Sequence, residues 1–117
     1  LISDKIEITP IKSDVKICSV VDIPGSKSIT NRAFLLSALS ALDLDSSKHI
    51  ILKGCLESDD TLAFCNCLVV LGFKIERSNN QYKFLGVARS DILAHWRNSE
   101  LSIYCHDAGT AVRFLLP

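Results

Sequence analysis

The chain has 117 residues, of which 48% are hydrophobic, and its 13 basic and 13 acidic side chains cancel to a formal charge of zero. That balance removes the electrostatic footprint of a nucleic-acid binder or a peripheral membrane protein, and no apolar run approaches the roughly 20 residues of a membrane-spanning helix. A stretch carrying Asp4 and Glu7 between apolar residues is no signal peptide. One small α/β domain, soluble and cytoplasmic, is the expectation.

The five cysteines, Cys18, Cys55, Cys65, Cys67 and Cys105, are odd in number and lack the paired spacing of zinc sites, so buried thiols in a reducing compartment are expected. His49, His95 and His106 are scattered singly, and no metal set is predicted. The chain holds no methionine, begins at Leu1, and stops at Pro117 directly after the apolar run Phe114 to Leu116. It is therefore expected to be a fragment of a longer polypeptide.

In chain order, residues 5–9 (KIEIT) alternate polar and apolar side chains, and 15–23 (VKICSVVDI) form a β-branched run ending at Pro24. Two strands are predicted. From Ser28, read as an N-cap, Ile29, Ala33, Leu36 and Leu35, Leu39, Leu42 follow helical spacing, which predicts a helix over 29–42. Residues 43–47 (DLDSS) read as a surface loop and 49–53 (HIILK) as a strand closed by Gly54. Ser58 with Asp59 and Asp60 opens a second helix, which Gly72 stops.

Residues 73–77 and 81–85 are predicted to pair as a hairpin through Ser78, Asn79 and Asn80. Residues 86–99 read as a connection with one helical turn near Ile92–Trp96. Residues 101–105 read as a strand, and a further helix starts at Ala108.

Two segments carry chemistry. In Pro24–Arg32 (PGSKSITNR), a glycine, hydroxyl side chains, Lys27 and Arg32 stand at a helix entrance, where unpaired amides and the helix dipole favour an anion. Gly25 is assigned a tight turn. The plain alternative, solvated charges beside a capped helix, leaves the Pro-Gly turn and the hydroxyls of Ser26, Ser28 and Thr30 unexplained. A Walker A loop is excluded, because serine precedes Lys27 and no glycine stands five residues before it.

Asp107–Arg113 (DAGTAVR) repeats the theme with Gly109 and Thr110, but alone it equals an ordinary strand-to-helix turn. Ser58, Asp59 and Asp60 are explained by capping. Cys105 beside His106 does not read as a nucleophile and base, since neighbours on a strand face opposite ways.

Taken in order, PGSKSITNRAFLLSAL, LESDDTLAFCNCLVVLG and DAGTAVRFL resemble the N-terminal portion of the 5-enolpyruvylshikimate-3-phosphate synthase family. The resemblance implies a partial α/β fold of βαβαββ units, an inside-out α/β barrel in the whole enzyme. Residues 1–20 would contribute to the other lobe and 21–117 to a partial lobe. It implies transfer of the enolpyruvyl group of phosphoenolpyruvate to the 5-hydroxyl of shikimate 3-phosphate, in chorismate biosynthesis, with no cofactor. The C-terminal remainder of the polypeptide would complete the site.

On matching positions, Lys27 would contact both substrates and Ser28 and Arg32 would hold shikimate 3-phosphate. Gly109 would offer its backbone to the phosphate of phosphoenolpyruvate, with Thr110 adjacent, and Asp60 falls on an active-site acid. Two residues depart from the family pattern: Asp107 where asparagine is usual, and His106 where glycine is common. Asp107 is therefore expected to cap the following helix with its side chain, neutralised by His106. A non-catalytic phosphate-binding module and the enolpyruvyl transferase acting on UDP-N-acetylglucosamine are the alternatives. The latter has asparagine where Ser28 follows Lys27.

Overall fold

The computed structural model describes residues 5–16 and 18–116. Four helices, α1 (Lys27–Ala41), α2 (Asp59–Val70), α3 (Arg89–Asn98) and α4 (Gly109–Leu115), accompany three strands, β1 (His49–Lys53), β2 (Ile75–Ser78) and β3 (Gln81–Leu85). The strands form one antiparallel sheet in the order β1-β3-β2, with Ile50 and Ile75 both opposite Phe84. Asn79 and Asn80, both at positive φ (37° and 60°), close the β2–β3 hairpin in the mirror-image turn that suits the strand twist.

The core lies between one face of this sheet and α1 and α2. Along β3, Tyr82 and Phe84 point inward and are buried, as the strand period requires. Phe34 of α1 packs on both, with ring centroids 4.7 and 5.9 Å away, and Phe64 and Leu68 of α2 complete the centre. Each large apolar side chain so buried contributes about 1.5–3 kcal/mol, and each tilted aromatic pair about 0.5–1.5 kcal/mol more.

Helix α2 ends as the Gly72 signal requires. Gly72 has φ +102°, its N–H donates to Val69 O, and the Phe73 N–H donates to Leu68 O, which satisfies two terminal carbonyls. Two more are met from α3: Trp96 Nε1 donates to Leu71 O at 2.7 Å, and His95 Nε2 lies 3.0 Å from Val70 O. Phe73 belongs to this cap, so β2 starts at Ile75 and not at residue 73.

Several expectations need correction. Helix α1 spans 27–41 and not 29–42, because Ser26 and not Ser28 is its N-cap, accepting from the Ile29 N–H. The single turn expected near Ile92–Trp96 is a ten-residue helix, α3, whose one buried residue is Ile92. The strand expected at 101–105 is absent. So are those at 5–9 and 15–23 among the described residues; Ile17, inside the second run, lies outside them, as do residues 1–4 and Pro117.

A strand exists only against a hydrogen-bonded neighbour, and in these segments no described residue offers one. Ile6, Ile8, Val20, Val21 and Ile23 are correspondingly exposed. Among the described residues the unit therefore runs helix, strand, helix, strand, strand, with no strand ahead of α1.

The core also fixes a pH response. Burial pushes the Tyr82 hydroxyl from 10.0 up to about 12, with the Glu57 carboxylate adding to the effect. Burial likewise raises Cys65 from 9.0 to about 11 and Cys67 from 9.0 to about 12. The folded state keeps these protons where the unfolded chain loses them, so their contribution is complete below about pH 9 and is lost as pH rises towards 12. Thermal unfolding is expected to hold steady up to about pH 9 and then decline. Tyr82→Phe should flatten the part of that decline above pH 10.0. A wild-type midpoint unchanged up to pH 12 would contradict the assignment.

Candidate functional site

The site begins with a backbone seam. Residues 54–58 cross the start of α1, and the two peptide groups of Leu56 are held by threonines from two helices. The Leu56 N–H donates to Thr30 Oγ1 at 3.0 Å, and Thr61 Oγ1 donates to Leu56 O at 2.8 Å. Thr30 and Thr61 are buried. Thr61 also accepts from the Ser58 N–H at 2.9 Å while Ser58 Oγ accepts from the Thr61 N–H, a reciprocal cap on α2.

Gly25 seals the same seam. A Cβ there would meet Gly54 O at 2.5 Å and Leu56 N at 2.9 Å. Close backbone approach is what requires this glycine; the tight turn assigned to it from sequence is not the reason, since its φ is not positive.

The seam sets the N-termini of α1 and α2 side by side. Lys27, the first residue of α1, reaches Asp60 in the first turn of α2, with Nζ 2.8 Å from Oδ2. Both side chains are partly exposed, and such a pair contributes only about 0–1 kcal/mol. It directs Lys27 without committing its charge. The Lys27 and Ser28 amides lie in the first turn of a 15-residue helix and have no intrahelical partner. With Ser26 as the cap, the Ser28 hydroxyl is released for other work.

One turn along α1, Arg32 joins Ser28 on the wall of an open cleft of about 280 Å3. Thr110, Arg113 and Phe114 of α4 form the opposite wall. The two short motifs, distant in sequence, therefore meet in one place. Arg113 supplies a second guanidinium that reading the sequence missed; its Nε reaches back to Gly109 O at 3.4 Å, along the helix surface. The signal was its spacing three residues after Thr110, which puts both side chains on one helical face.

Gly109 is the first residue of α4, exposed, and a Cβ there would meet nothing within 4 Å. Helix α4 has only seven residues, so its dipole is weak and any attraction of this wall for an anion would rest on side chains. Asp107 does not cap it: the N-cap is Ala108, without a side-chain bond. Nor does His106 pair with Asp107; its ring packs at a tilt of 52° against Tyr104, with centroids 4.3 Å apart. Asn31, one turn beyond Lys27, is buried with neither polar atom of its carboxamide bonded among the described residues.

Among the described residues no group of three or more His, Cys, Asp or Glu side chains is placed to hold a metal ion. No helix there is long and apolar enough to cross a membrane. The arrangement is suited to ligands with more than one anionic group: a point charge at Lys27, forks at Arg32 and Arg113, and hydroxyl donors at Ser28 and Thr110.

If the seam organises the site, Thr30→Val, which keeps the side-chain shape and deletes the acceptor of the Leu56 N–H, should cost about 1–3 kcal/mol in denaturant titration. A loss below about 0.3 kcal/mol, inside the usual scatter of a surface substitution, would show that the seam does not hold α1.

The chain is similar to known proteins. The family model for EPSP synthase (3-phosphoshikimate 1-carboxyvinyltransferase) matches residues 11–117. The 3-phosphoshikimate 1-carboxyvinyltransferase 2 of Halalkalibacterium halodurans is 38% identical over 96 residues, covering 82% of this chain and 19% of that protein. The 3-phosphoshikimate 1-carboxyvinyltransferase of Pseudomonas savastanoi pv. phaseolicola is 36% identical over 95 residues, 81% of this chain and 20% of the relative. That of Buchnera aphidicola subsp. Cinara cedri is 37% identical over 98 residues, with 82% and 20% covered. The chain thus spans about a fifth of the length of these curated relatives. No solved structure matches it. With a family model covering all but its first ten residues, the chain belongs to the EPSP synthase family.

Proposed function

We propose that this chain serves enolpyruvyl transfer from phosphoenolpyruvate to the 5-hydroxyl of shikimate 3-phosphate, with release of phosphate, in the cytoplasm. The observation that carries the reading is the convergence of Ser28 and Arg32 with Thr110 and Arg113 in one cleft, beside a lysine steered by Asp60. Both substrates are phosphorylated carboxylates, and this set of cations and hydroxyls is their chemical complement.

In this reading Ser28 and Arg32 hold shikimate 3-phosphate, and Lys27 stands between the two substrates. The Gly109 backbone and Thr110 face the phosphate of phosphoenolpyruvate. The open space around Gly109 leaves room for a ligand to approach the main chain. Asp60 orients the Lys27 ammonium, and Lys27 transfers its attraction to the substrates once they bind. An anionic ligand out-competes Asp60 because a lone exposed ion pair is weak, whereas two anions arriving together double the attraction on the same ammonium. Arg113 adds a second fork on the α4 wall.

Residues 1–20 are assigned to the other lobe of the enzyme and 21–117 to part of this one. The remaining acid and base groups lie on the remainder of the polypeptide, and closure of the lobes excludes water from the reacting groups. The family match favours this substrate pair over UDP-N-acetylglucosamine, in accord with Ser28 after Lys27.

The test is Lys27→Met in the complete enzyme. Turnover is expected to fall by more than about 10²-fold, with KM rising for both substrates, because a preorganised charge at the reacting groups is lost. The thermal midpoint should scarcely move, since the Lys27–Asp60 pair is exposed. Near-normal kinetics would remove Lys27 from the site.

A further inference from the structure

We propose that Cys67 and Cys105 form an oxidisable dithiol that, as a disulfide, ties α2 to the turn ahead of α4 and impairs the ligand cleft. The effect on the cleft rests on the function proposed above; formation of the disulfide does not.

The two sulfurs are 3.6 Å apart in a thiol–thiol hydrogen bond, although the residues are 38 positions apart in sequence. Cys67 lies on α2 and is 1% exposed, while Cys105 is half-buried. Cys67 also lines a small cavity of about 190 Å3 with Asn66, Tyr104 and His106. A peroxide can therefore reach this corner of the molecule. Among the described residues the other thiols offer no such pair: the structure gives Cys18, Cys55 and Cys65 no sulfur within bonding reach.

The roles of the two thiols follow from their surroundings. Burial, with the hydrogen bond shared with Cys105, pushes the Cys67 thiol up to about 12, which makes it a poor first nucleophile. Cys105, nearer solvent, reacts first. Its thiolate attacks one oxygen of a hydroperoxide, the O–O bond breaks, and a sulfenic acid forms with release of water or an alcohol. The Cys67 sulfur then attacks the sulfenic sulfur, the S–O bond breaks, and water leaves with the Cys67 proton. In sum, two thiols and one hydroperoxide give one disulfide, one alcohol or water from the peroxide, and one further water. Two electrons pass from the sulfurs to the peroxide.

The geometric consequence falls on the cleft. A disulfide requires about 2.05 Å between sulfurs, so the pair must close by about 1.5 Å from its present 3.6 Å. Cys105 is coupled to α4 through one short link, since the Ala108 N–H donates to Cys105 O at 3.1 Å and Ala108 is the N-cap of α4. His106, between them, already sits at φ +50°, a left-handed conformation uncommon for a non-glycine residue, so this turn has little slack to absorb a shift. Movement of Cys105 therefore passes to Gly109 and Thr110. A displacement of about 1 Å in a substrate-positioning group can cost on the order of 10²-fold in rate.

The experiment treats the complete enzyme with hydrogen peroxide, blocks free thiols, and compares non-reduced peptide maps with kinetics before and after dithiothreitol. The expected result is a Cys67–Cys105 linked peptide pair, an increase of about tenfold or more in KM for a phosphorylated substrate, and recovery on reduction. Cys67→Ser and Cys105→Ser should each keep the activity of the reduced enzyme and resist the loss. Absence of the linked pair, with Cys105 oxidised alone, overturns the dithiol. A linked pair with unchanged kinetics overturns its control of the cleft. If the reduced enzyme shows no enolpyruvyl transfer, the proposed function fails, and the peptide map still decides whether the dithiol forms.

Discussion

Everything at the candidate site depends on two threonine hydroxyls that hold the two peptide groups flanking one residue, Leu56. Thr30 and Thr61 come from different helices, and between them they bond the N–H and the C=O of Leu56. These backbone groups belong to a half-buried turn beyond the end of β1, where no strand or helix partner is available, and leaving one unpaired would cost about 1–3 kcal/mol. Satisfying them from two helix starts fixes the distance between those starts. Gly25 permits the approach by lacking a side chain against Gly54 O and Leu56 N. A local hydrogen-bonding requirement thereby becomes a long-range placement: Lys27 ends up beside Asp60, 33 positions away.

The electrostatic arrangement follows from that placement. A chain with no net charge has no general attraction for anions, so affinity must be built locally by crowding cations. Lys27, Arg32 and Arg113 are all exposed, and only the Lys27 charge has an acidic partner among the described residues. Arg77, by contrast, is spent on structure, with a two-pronged pair to Glu57 at 3.0 and 2.8 Å that backs the Tyr82 hydroxyl. Arg77 and Arg89 are thus paired with acids elsewhere on the surface, whereas Arg32 and Arg113 face the cleft.

Much of this was legible in the sequence, and each failure has a physical cause. The strands β1 and β3, the α2 cap at Ser58 and the stop at Gly72 were readable because their signals are local: alternating side chains, a capping hydroxyl, a glycine at positive φ. The strands expected at 5–9, 15–23 and 101–105 have the right composition, but a strand is a relation between segments, and among the described residues these have no neighbour. Helix α3 was under-read because only Ile92 is buried, so its hydrophobic pattern is faint; its role as a lid over the end of α2, through His95 and Trp96, is tertiary. Ser26 and Ser28 differ by two positions and both suit a cap, which is why the start of α1 was misplaced. Arg113 and the Cys67–Cys105 contact required the fold, since nothing in one dimension says that α4 faces α1 or that residue 105 returns to α2.

The central claim is that the segments around Lys27 and Gly109 make one anion site. The most direct measurement is a crystal structure of the complete protein with shikimate 3-phosphate and phosphoenolpyruvate, or an unreactive analogue, bound. The account predicts phosphate or carboxylate oxygens within hydrogen-bond distance of Ser28 Oγ and the Arg32 guanidinium, with the second anion against Gly109 and Thr110 across the same cleft. Ligands bound elsewhere, with Arg32 and Thr110 separated by protein, would contradict it.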